Sequence, residues 1–499
     1  MVVIAMGVLY VLISICPSAA SPGGAFVRSI NLMNVPFLGV LVRFLMASPW
    51  PLVILKVVFV ALFSLIIVAG LIGTPIPQMN IATILTWTFW WSLVVISVFF
   101  LGTVWCAVCP WNTLADWIVK RRLWRRGAED SSFNLKVPRV LRNVWPALFL
   151  LIGLTWFELG AGVTGDPRMT SLLALLVVVL AVSSLVVFER KAFCRYFCPV
   201  GRTLGAYSQL APVEIRPAND EICTNCQTLD CYHGTDVIEP CPTHLTIGRF
   251  AQNTYCTSCG SCALSCPHDN VSWRLRSMIA ESRADARPHW DEAWFMLGLL
   301  GLTIFHGVTM LPQWEGWIRG LGRIIGDQGQ LLITFSIGMT ASLLVPVLAF
   351  GFLVYLTGRL SFFHVSFRKL FSNLAFTVLP LAFAYHLAHN LNHVIREGDA
   401  LGAVLANPLG ENALPLSAME LHMRHMSLMI PQSALFALQA ALMVGGFWVA
   451  VLILRRRSQR LTAMGGDLSA TNLLPMLFFM VTITAFNTWL LMQDMVMRL

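Results

Sequence analysis

The sequence has little charge for its length, since Asp, Glu, Lys and Arg make up only 12% of its 499 residues. Soluble globular chains carry about 25% charged residues. The hydrophobic fraction of 57% and the mean hydropathy of +0.71 are also high. This composition excludes an ordinary soluble enzyme and a disordered chain. The Lys and Arg residues behind the net charge of +9 lie in short runs between apolar segments, which argues against nucleic-acid binding as well.

Two sequence motifs are missing. The chain has no G-x-x-x-x-G-K-[ST] segment, so we expect no P-loop nucleotide motor. It also has no C-x-x-C-H segment, so we expect no covalently attached c-type haem.

Long apolar runs predict an all-α polytopic membrane protein with about ten transmembrane helices, because about 20 residues of helix cross a bilayer core. We expect the opening run, Met1 to Cys16, to be a retained first helix rather than a cleaved signal peptide. Residues 29–46 are apolar but are flanked or interrupted by Arg28 and Arg43, and we expect them to form an interfacial or partly buried segment. The other predicted spans lie near 51–73, 82–103, 144–163, 170–188, 291–312, 330–356, 370–395, 431–453 and 471–495.

Basic loops indicate the orientation of these spans. The runs that contain Lys120, Arg190, Arg274, Arg359 and Arg455 all fall on one side if the spans alternate. The positive-inside rule makes that side cytoplasmic, in a bacterial inner membrane. We therefore expect an N-terminal membrane domain over 1–201, an inserted cytoplasmic domain over 202–290 and a C-terminal membrane domain over 291–499.

Cysteine is concentrated in one part of the chain, with 12 of the 13 residues between positions 106 and 266. Residues 256–267 have the bacterial ferredoxin spacing C-x2-C-x2-C-x3-C-P, and a looser copy precedes them. The fourth cysteine of such a run ligates the other cluster. Zinc sites are the alternative, but zinc favours two pairs of ligands rather than a triple run. We therefore expect a ferredoxin-like domain with one [4Fe–4S] cluster on Cys223, Cys226, Cys231 and Cys266, and a second on Cys256, Cys259, Cys262 and Cys241.

Two Cys-Pro motifs follow predicted spans on the cytoplasmic side. Pro110 and Pro199 are expected to stop the preceding helices and to hold the thiols in turns. The four thiols could bind a third cluster or another metal, act as redox dithiols, or be ordinary buried cysteines. We favour convergence on one redox centre, a third [4Fe–4S] cluster, held by Cys106, Cys109, Cys194 and Cys198.

Residues from about 82 to 290 resemble the membrane-bound polyferredoxins of the NapH/NosR type. Those proteins have spans that end in paired C-x3-C-P motifs, followed by a cytoplasmic two-cluster ferredoxin domain. Cys194, Cys198 and Pro199 match the motif, whereas Cys106 and Cys109 are one residue closer together. The resemblance implies electron transfer of the kind associated with nitrate and nitrous-oxide respiration, and it identifies no substrate.

Histidines are concentrated at the outer side of the second half. Three of them occupy positions i, i+3 and i+7 of the span 370–395 and share one helical face. Imidazoles on facing helices suit b-type haem, a mixed His and Met set suits copper, and a histidine could accept the proton of a quinol. The sequence leaves all three alternatives open, whereas hydrogen bonding is the better interpretation for a single residue such as His364. The candidates are His306, His386, His389, His393, His422 and His425, with Met423, Met426 and Met429 nearby.

The cysteine motifs and the histidine cluster together predict a membrane-bound iron–sulfur electron-transfer protein. We expect it to be a subunit of a respiratory oxidoreductase complex. It would pass electrons between the quinone pool, the cytoplasmic clusters and an extracytoplasmic redox partner, together with other subunits of the complex. The alternative is a maturation or metal-handling factor that reduces copper or a disulfide for a client enzyme. A structural anchor stabilised by its clusters is a third option.

Overall fold

The computed structural model describes residues 29–122, 131–249, 251–361, 365–417, 419–420, 429–463, 468–469 and 471–496. Its helices are, in chain order, α1 (Leu38–Ala47), α2 (Trp50–Ile72), α3 (Ile81–Leu101), α4 (Trp105–Val108), α5 (Pro110–Lys120), α6 (Trp145–Gly160), α7 (Pro167–Val187), α8 (Pro199–Ser208), α9 (Asp220–Asn225), α10 (Asp230–His233), α11 (Ser261–Ser265), α12 (Trp290–Val308), α13 (Trp314–Ile325), α14 (Leu332–Leu360), α15 (Phe367–Glu397), α16 (Ala400–Ala406), α17 (Gln432–Thr462) and α18 (Leu474–Leu491). The strands are β1 (Ile30–Asn31), β2 (Val213–Pro217) and β3 (Val271–Leu275).

The predicted all-α membrane class is confirmed. Seven helices of the described residues are long and apolar enough to cross a membrane, namely α2, α3, α7, α14, α15, α17 and α18. Two further predicted spans contain α6, which has 16 residues, and α12, which begins with acidic residues in its first turn. The opening run before residue 29 lies outside the described residues, and the exact number of spans and their sidedness stay predictions.

Helix α15 is the central helix of the membrane part. In its apolar segment 94% of the residues are buried, against 22% in α2 and α14. Helices α3, α8, α12, α17 and α18 pack around it. Polar side chains inside a membrane are costly and usually face a partner or a cavity. The polar side chains of α15 are therefore placed among protein neighbours rather than in lipid.

The polar domain is built around a small antiparallel sheet in the order β1–β3–β2. Val213 pairs with Leu275 at one end of β2, and Pro217 pairs with Val271 at the other. The short helices α9, α10 and α11 lie against this sheet and carry part of the cysteine set. The predicted boundary at 201/202 falls inside the buried helix α8, and the division into three domains stays a prediction.

The segment 29–46 connects the polar domain to the first long helix. Strand β1 pairs with β3, and Met46 packs against the hydrophobic cluster around Cys231. Helix α1 leaves apolar side chains exposed, among them Val40 and Phe44. Such an apolar face suits the membrane interface, where we expect this segment to lie.

Gly205 lets α8 approach the loop that leads to Cys256. A Cβ atom at Gly205 would overlap the backbone carbonyl of Thr254, whereas one at Gly153 of α6 would meet no heavy atom within 4 Å. Because overpacking costs about 1–3 kcal/mol, we expect Gly205→Val to lower the thermal unfolding temperature of the detergent-solubilised protein. The matched variant Gly153→Val should unfold like the wild type, and equal unfolding temperatures for all three would contradict this packing.

Candidate functional site

One group of cysteines lies between the sheet and the short helices of the polar domain. Asn270 donates to two of its sulfurs, because its side-chain Nδ2 lies 3.3 Å from Cys223 Sγ and its backbone N lies 3.4 Å from Cys266 Sγ. Burial raises the pKa of Cys231. The charges of Cys223, Cys226 and Cys266 raise it further, which indicates that these thiols are close to Cys231. These four cysteines are the ones that the sequence assigns to the first cluster, in which Cys266 comes from the second cysteine run.

A second group consists of Cys241, Cys256, Cys259 and Cys262, the last of which lies in α11. Backbone N–H groups donate to two of its sulfurs, from Leu245 to Cys241 at 3.2 Å and from Ser258 to Cys256 at 3.4 Å. Burial raises the pKa of Cys256 to about 12, and the charges of Cys259 and Cys241 also raise it. The remaining member is Cys262, whose pKa is raised by burial and then by Cys259, Cys256 and Cys241.

The spacing of the sulfurs differs from that of a zinc site. Tetrahedral zinc with bonds of about 2.3 Å places its sulfurs about 3.8 Å apart. In the described part of the chain, which contains all 12 clustered cysteines, no three sulfurs lie within 4.8 Å of one another. The sulfurs of the described residues are therefore not gathered as closely as in a tetrahedral zinc site.

The two Cys-Pro motifs have a geometry that sequence reasoning described only in part. Pro110 and Pro199 each occupy the first turn of a new helix, α5 and α8, where proline is favoured because its missing N–H would have no helical partner. Cys109 and Cys198 are the N-cap residues of these helices. The backbone N–H of Gly201 donates to Cys198 Sγ at 3.3 Å. The expectation that these prolines only end helices was therefore incomplete.

The four membrane-side sulfurs form a third group. Burial raises the pKa of Cys109, and the charges of Cys198, Cys194 and Cys106 raise it further. Burial likewise raises the pKa of Cys194 to about 12, with the charge of Cys198 as the next cause. Four thiols that mutually raise their pKa in this way need compensating positive charge before they can ionise together.

Two basic side chains supply positive charge at this third group. Arg202 is only 3% exposed, and neither its Nε nor its Nη1 has a hydrogen-bond partner among the described residues. Its charge lowers the pKa of Cys106, Cys194 and Cys198. Lys191 forms a 2.6 Å ion pair with Asp116, and although burial works to lower the pKa of Lys191, Asp116 and Cys194 raise it overall. A buried guanidinium needs compensating contacts, and that of Arg202 lies 4.5 Å from the centroid of the Tyr255 ring and interacts with the charge of the buried Glu292 carboxyl as well as with the thiols.

The three groups follow one another in space. The charge of Cys231 in the first group raises the pKa of Cys262 in the second. The charge of Cys256 in the second group likewise raises the pKa of Cys106 in the third. The hydroxyl of Thr103, two residues after the end of α3, lies 3.0 Å from that of Ser258 in the loop of the second group. The third group therefore lies between the polar domain and the membrane helices.

The predicted histidine face divides into two parts. The donor atoms of His306, His389 and His393 all lie within 4.8 Å of one another. His386 is instead held by Trp91 and Tyr207, with its Nε2 3.1 Å from Trp91 Nε1 and its Nδ1 3.2 Å from the Tyr207 hydroxyl. Both ring nitrogens of His386 are thus engaged in hydrogen bonds. His364, His422 and His425, with Met423 and Met426, lie outside the described residues.

A cavity of about 610 Å³ connects the two regions. Its walls are mostly apolar and include Trp90, Trp91 and Trp111. Cys198 and Thr203 line it next to the third cysteine group, and the histidine triad and Glu397 line another part of it. The Thr203 hydroxyl is buried and has no hydrogen-bond partner among the described residues. The cavity can therefore offer an apolar ligand one hydroxyl beside the sulfurs.

Comparison with known proteins bears on the third cysteine group. The family model "4Fe-4S binding domain" matches residues 83–128 and 169–210, which contain both Cys-Pro motifs. This part of the chain is thus similar to a 4Fe–4S binding domain. The predicted resemblance to membrane polyferredoxins is thereby confirmed over this segment.

Two curated relatives match parts of the chain. The chain is 32% identical to the "Putative electron transport protein YccM" of Escherichia coli (strain K12) over 152 residues, which are 29% of this chain and 40% of that protein. It is 29% identical to an uncharacterized protein of Methanocaldococcus jannaschii over 98 residues, or 20% of this chain and 37% of the relative. The chain thus spans well under half the length of these relatives. No solved structure gives a significant match.

Several residues of the site were missed by sequence reasoning. Asn270, Arg202, Thr203 and Glu397 are single polar residues with no motif of their own. Gly248 allows close packing on Cys223, since an added Cβ would lie 2.5 Å from the Cys223 Cβ. The position of Asn270, four residues after Cys266, was the one available signal for a group that contacts the sulfurs.

Asn270→Leu removes the amide that donates to Cys223 Sγ. Hydrogen bonds to the sulfurs help to set cluster potentials, and one such bond contributes about 1 kcal/mol. We expect one low-potential centre to shift negative by roughly 40–50 mV, the one-electron equivalent of that energy. An EPR-monitored redox titration measures the shift. Asn225→Leu, at an exposed position of the same domain, should leave all potentials unchanged, and an unchanged potential in Asn270→Leu would exclude this hydrogen bond.

Proposed function

We propose that this protein transfers electrons between a quinone in the apolar cavity and three [4Fe–4S] clusters. It would act as a multi-pass subunit of a respiratory complex in the bacterial inner membrane. The observation that carries the proposal is the contact of the cavity with Cys198, a member of the third cysteine group. Iron–sulfur electron transfer is supported by the matched 4Fe–4S domain and by the relative with electron transport in its printed name.

The third cluster is supported by charge as well as by ligand count. Four thiolates are the ligand set of a cubane, and a cubane with four thiolates carries net negative charge. Arg202 and the N-termini of α5 and α8 face Cys109, Cys198 and their partners with positive charge or partial charge. Buried protonated dithiols would leave the Glu292 carboxylate as the anion that interacts with Arg202, whereas a cluster would add negative charge on the cysteine side. We therefore infer a cluster rather than two separate dithiols.

The cavity suits a quinone in size and polarity. Ligand pockets of about 300–1,000 Å³ are typically apolar with a few placed polar groups. The head group would lie beside Thr203, whose hydroxyl would donate to a quinone carbonyl, and the isoprenoid tail would follow the aromatic walls. Oxidation of a bound quinol releases two electrons and two protons, and the clusters would take the electrons one at a time. Reduction of a quinone would reverse both flows.

The clusters would then form a relay from the membrane to the cytoplasmic surface. The third cluster would exchange electrons with the quinone, and the second and first would carry them outward through the polar domain. The basic loops favour a cytoplasmic position for this domain. A soluble redox partner or another subunit would complete the path at the surface near Cys226. This cysteine is partly exposed, whereas Cys231 of the same group is buried.

Iron content tests the number of clusters. Three clusters hold about twelve irons per chain. We expect Cys198→Ser to lose about four of them and to keep the EPR signals of the other two clusters. Cys16→Ser, which changes the cysteine outside the clustered set, should retain all of them. Full iron content in Cys198→Ser would contradict a third cluster.

Blocking the cavity tests the quinone site. Ala174 of α7 lines the cavity, and Leu176 of the same helix is 46% exposed outside it. We expect Ala174→Trp to slow reduction of the clusters by a short-chain quinol at least tenfold, because the added ring fills the space that the quinol needs. Stopped-flow absorbance at the cluster bands measures the rate.

The control for this experiment is Leu176→Trp, which adds the same ring to the exposed face. It should be reduced at the wild-type rate, and dithionite should reduce the clusters of all three proteins equally. Equal quinol rates in all three would place the quinone elsewhere and would overturn the cavity assignment.

A further inference from the structure

Three histidines at one part of the cavity have the geometry of a metal site. His389 and His393 are one helical turn apart on α15, and their Nε2 atoms lie 3.3 Å apart. His306, near the end of α12, faces them with ring centroids 4.9 Å from His389 and 6.3 Å from His393. We propose that these three imidazoles bind one copper ion, at a site separate from the cysteine groups.

Glu397 supports this interpretation as an orienting group. Its carboxylate accepts a 2.7 Å hydrogen bond from the Thr88 hydroxyl and lies 3.4 Å from His393 Nδ1. Metal-binding histidines commonly donate their other ring N–H to a carboxylate, which fixes the tautomer. With the proton on Nδ1, the His393 Nε2 lone pair points toward His389, which is where the ion would lie.

Charge balance also favours a cation here. Glu397 is 3% exposed, and a buried carboxylate is stable only with compensating charge and hydrogen bonds. A cuprous ion on three neutral imidazoles would make the site neutral together with the Glu397 carboxylate. The oxidised ion would add one positive charge.

A haem fits this place less well. A haem held by two histidines needs its whole macrocycle between the two imidazoles. The rings of His306 and His389 are already in edge contact at 4.9 Å, and His393 touches both. A single ion requires no such gap.

Copper is the ion that this donor set favours. Imidazole suits copper, zinc, iron and nickel, and affinity for nitrogen sites peaks at copper among divalent first-row metals. Three protein ligands leave one coordination position, and because all three histidines line the cavity, that position would face it. Copper binding and quinol oxidation are separate properties of the chain, so failure of either leaves the other standing.

Metal analysis of the full-length protein with reconstituted clusters tests the site. After equilibrium dialysis against buffered copper, the wild type should hold one copper per chain more than His389→Gln, His393→Gln or His306→Gln. The EPR spectrum of the oxidised copper should show coupling to three nitrogens. Iron measured in the same samples shows that the clusters have survived.

His386→Gln is the matched control, since His386 lies on α15 but bonds to Trp91 and Tyr207. It should retain the copper, whereas Glu397→Gln should bind it about 10- to 100-fold more weakly. Equal copper in the wild type and the three triad variants would overturn the proposal. So would loss of copper from His386→Gln alone, or retention of zinc in place of copper when both ions are supplied.

Discussion

The buried positive charge of Arg202 is the constraint on which the rest of the site depends. A guanidinium that is 3% exposed needs compensating negative charge, and that of Arg202 interacts favourably with the thiolate forms of Cys106, Cys194 and Cys198 as well as with the buried Glu292 carboxylate. Those thiols are themselves too buried to ionise alone. A shared centre that binds these thiolates, as proposed for the third cluster, would add negative charge beside Arg202, between the polar domain and the membrane helices.

Helix α15 provides the second half of this arrangement. Because its neighbours enclose it, the helix can carry His386, His389, His393 and Glu397 without exposing them to lipid. Each polar group meets a protein partner, such as Trp91 for His386 and Thr88 for Glu397. The same enclosure leaves the apolar cavity between α15 and the helices that end in Cys-Pro motifs.

Sequence reasoning reached the helices and the cysteine groups because both depend on local patterns. Apolar runs predict helices wherever a bilayer must be crossed, and ferredoxin spacing brings thiols together over a few residues. It did not predict that His386 would be separate from the triad of His306, His389 and His393. Three positions on one helical face do not reveal which side chains the neighbouring helices place beside each of them. Arg202 and Thr203 were missed for the same reason, because their roles come from contacts between distant segments.

The proposed contact between a third cluster and the cavity can be tested directly. A semiquinone generated in the cavity during an EPR redox titration of membranes should relax fast, because a reduced cluster at Cys198 would lie beside it. In Cys198→Ser the same radical should relax slowly. A wild-type semiquinone whose relaxation does not change with the redox state of the clusters would contradict electron exchange at this site.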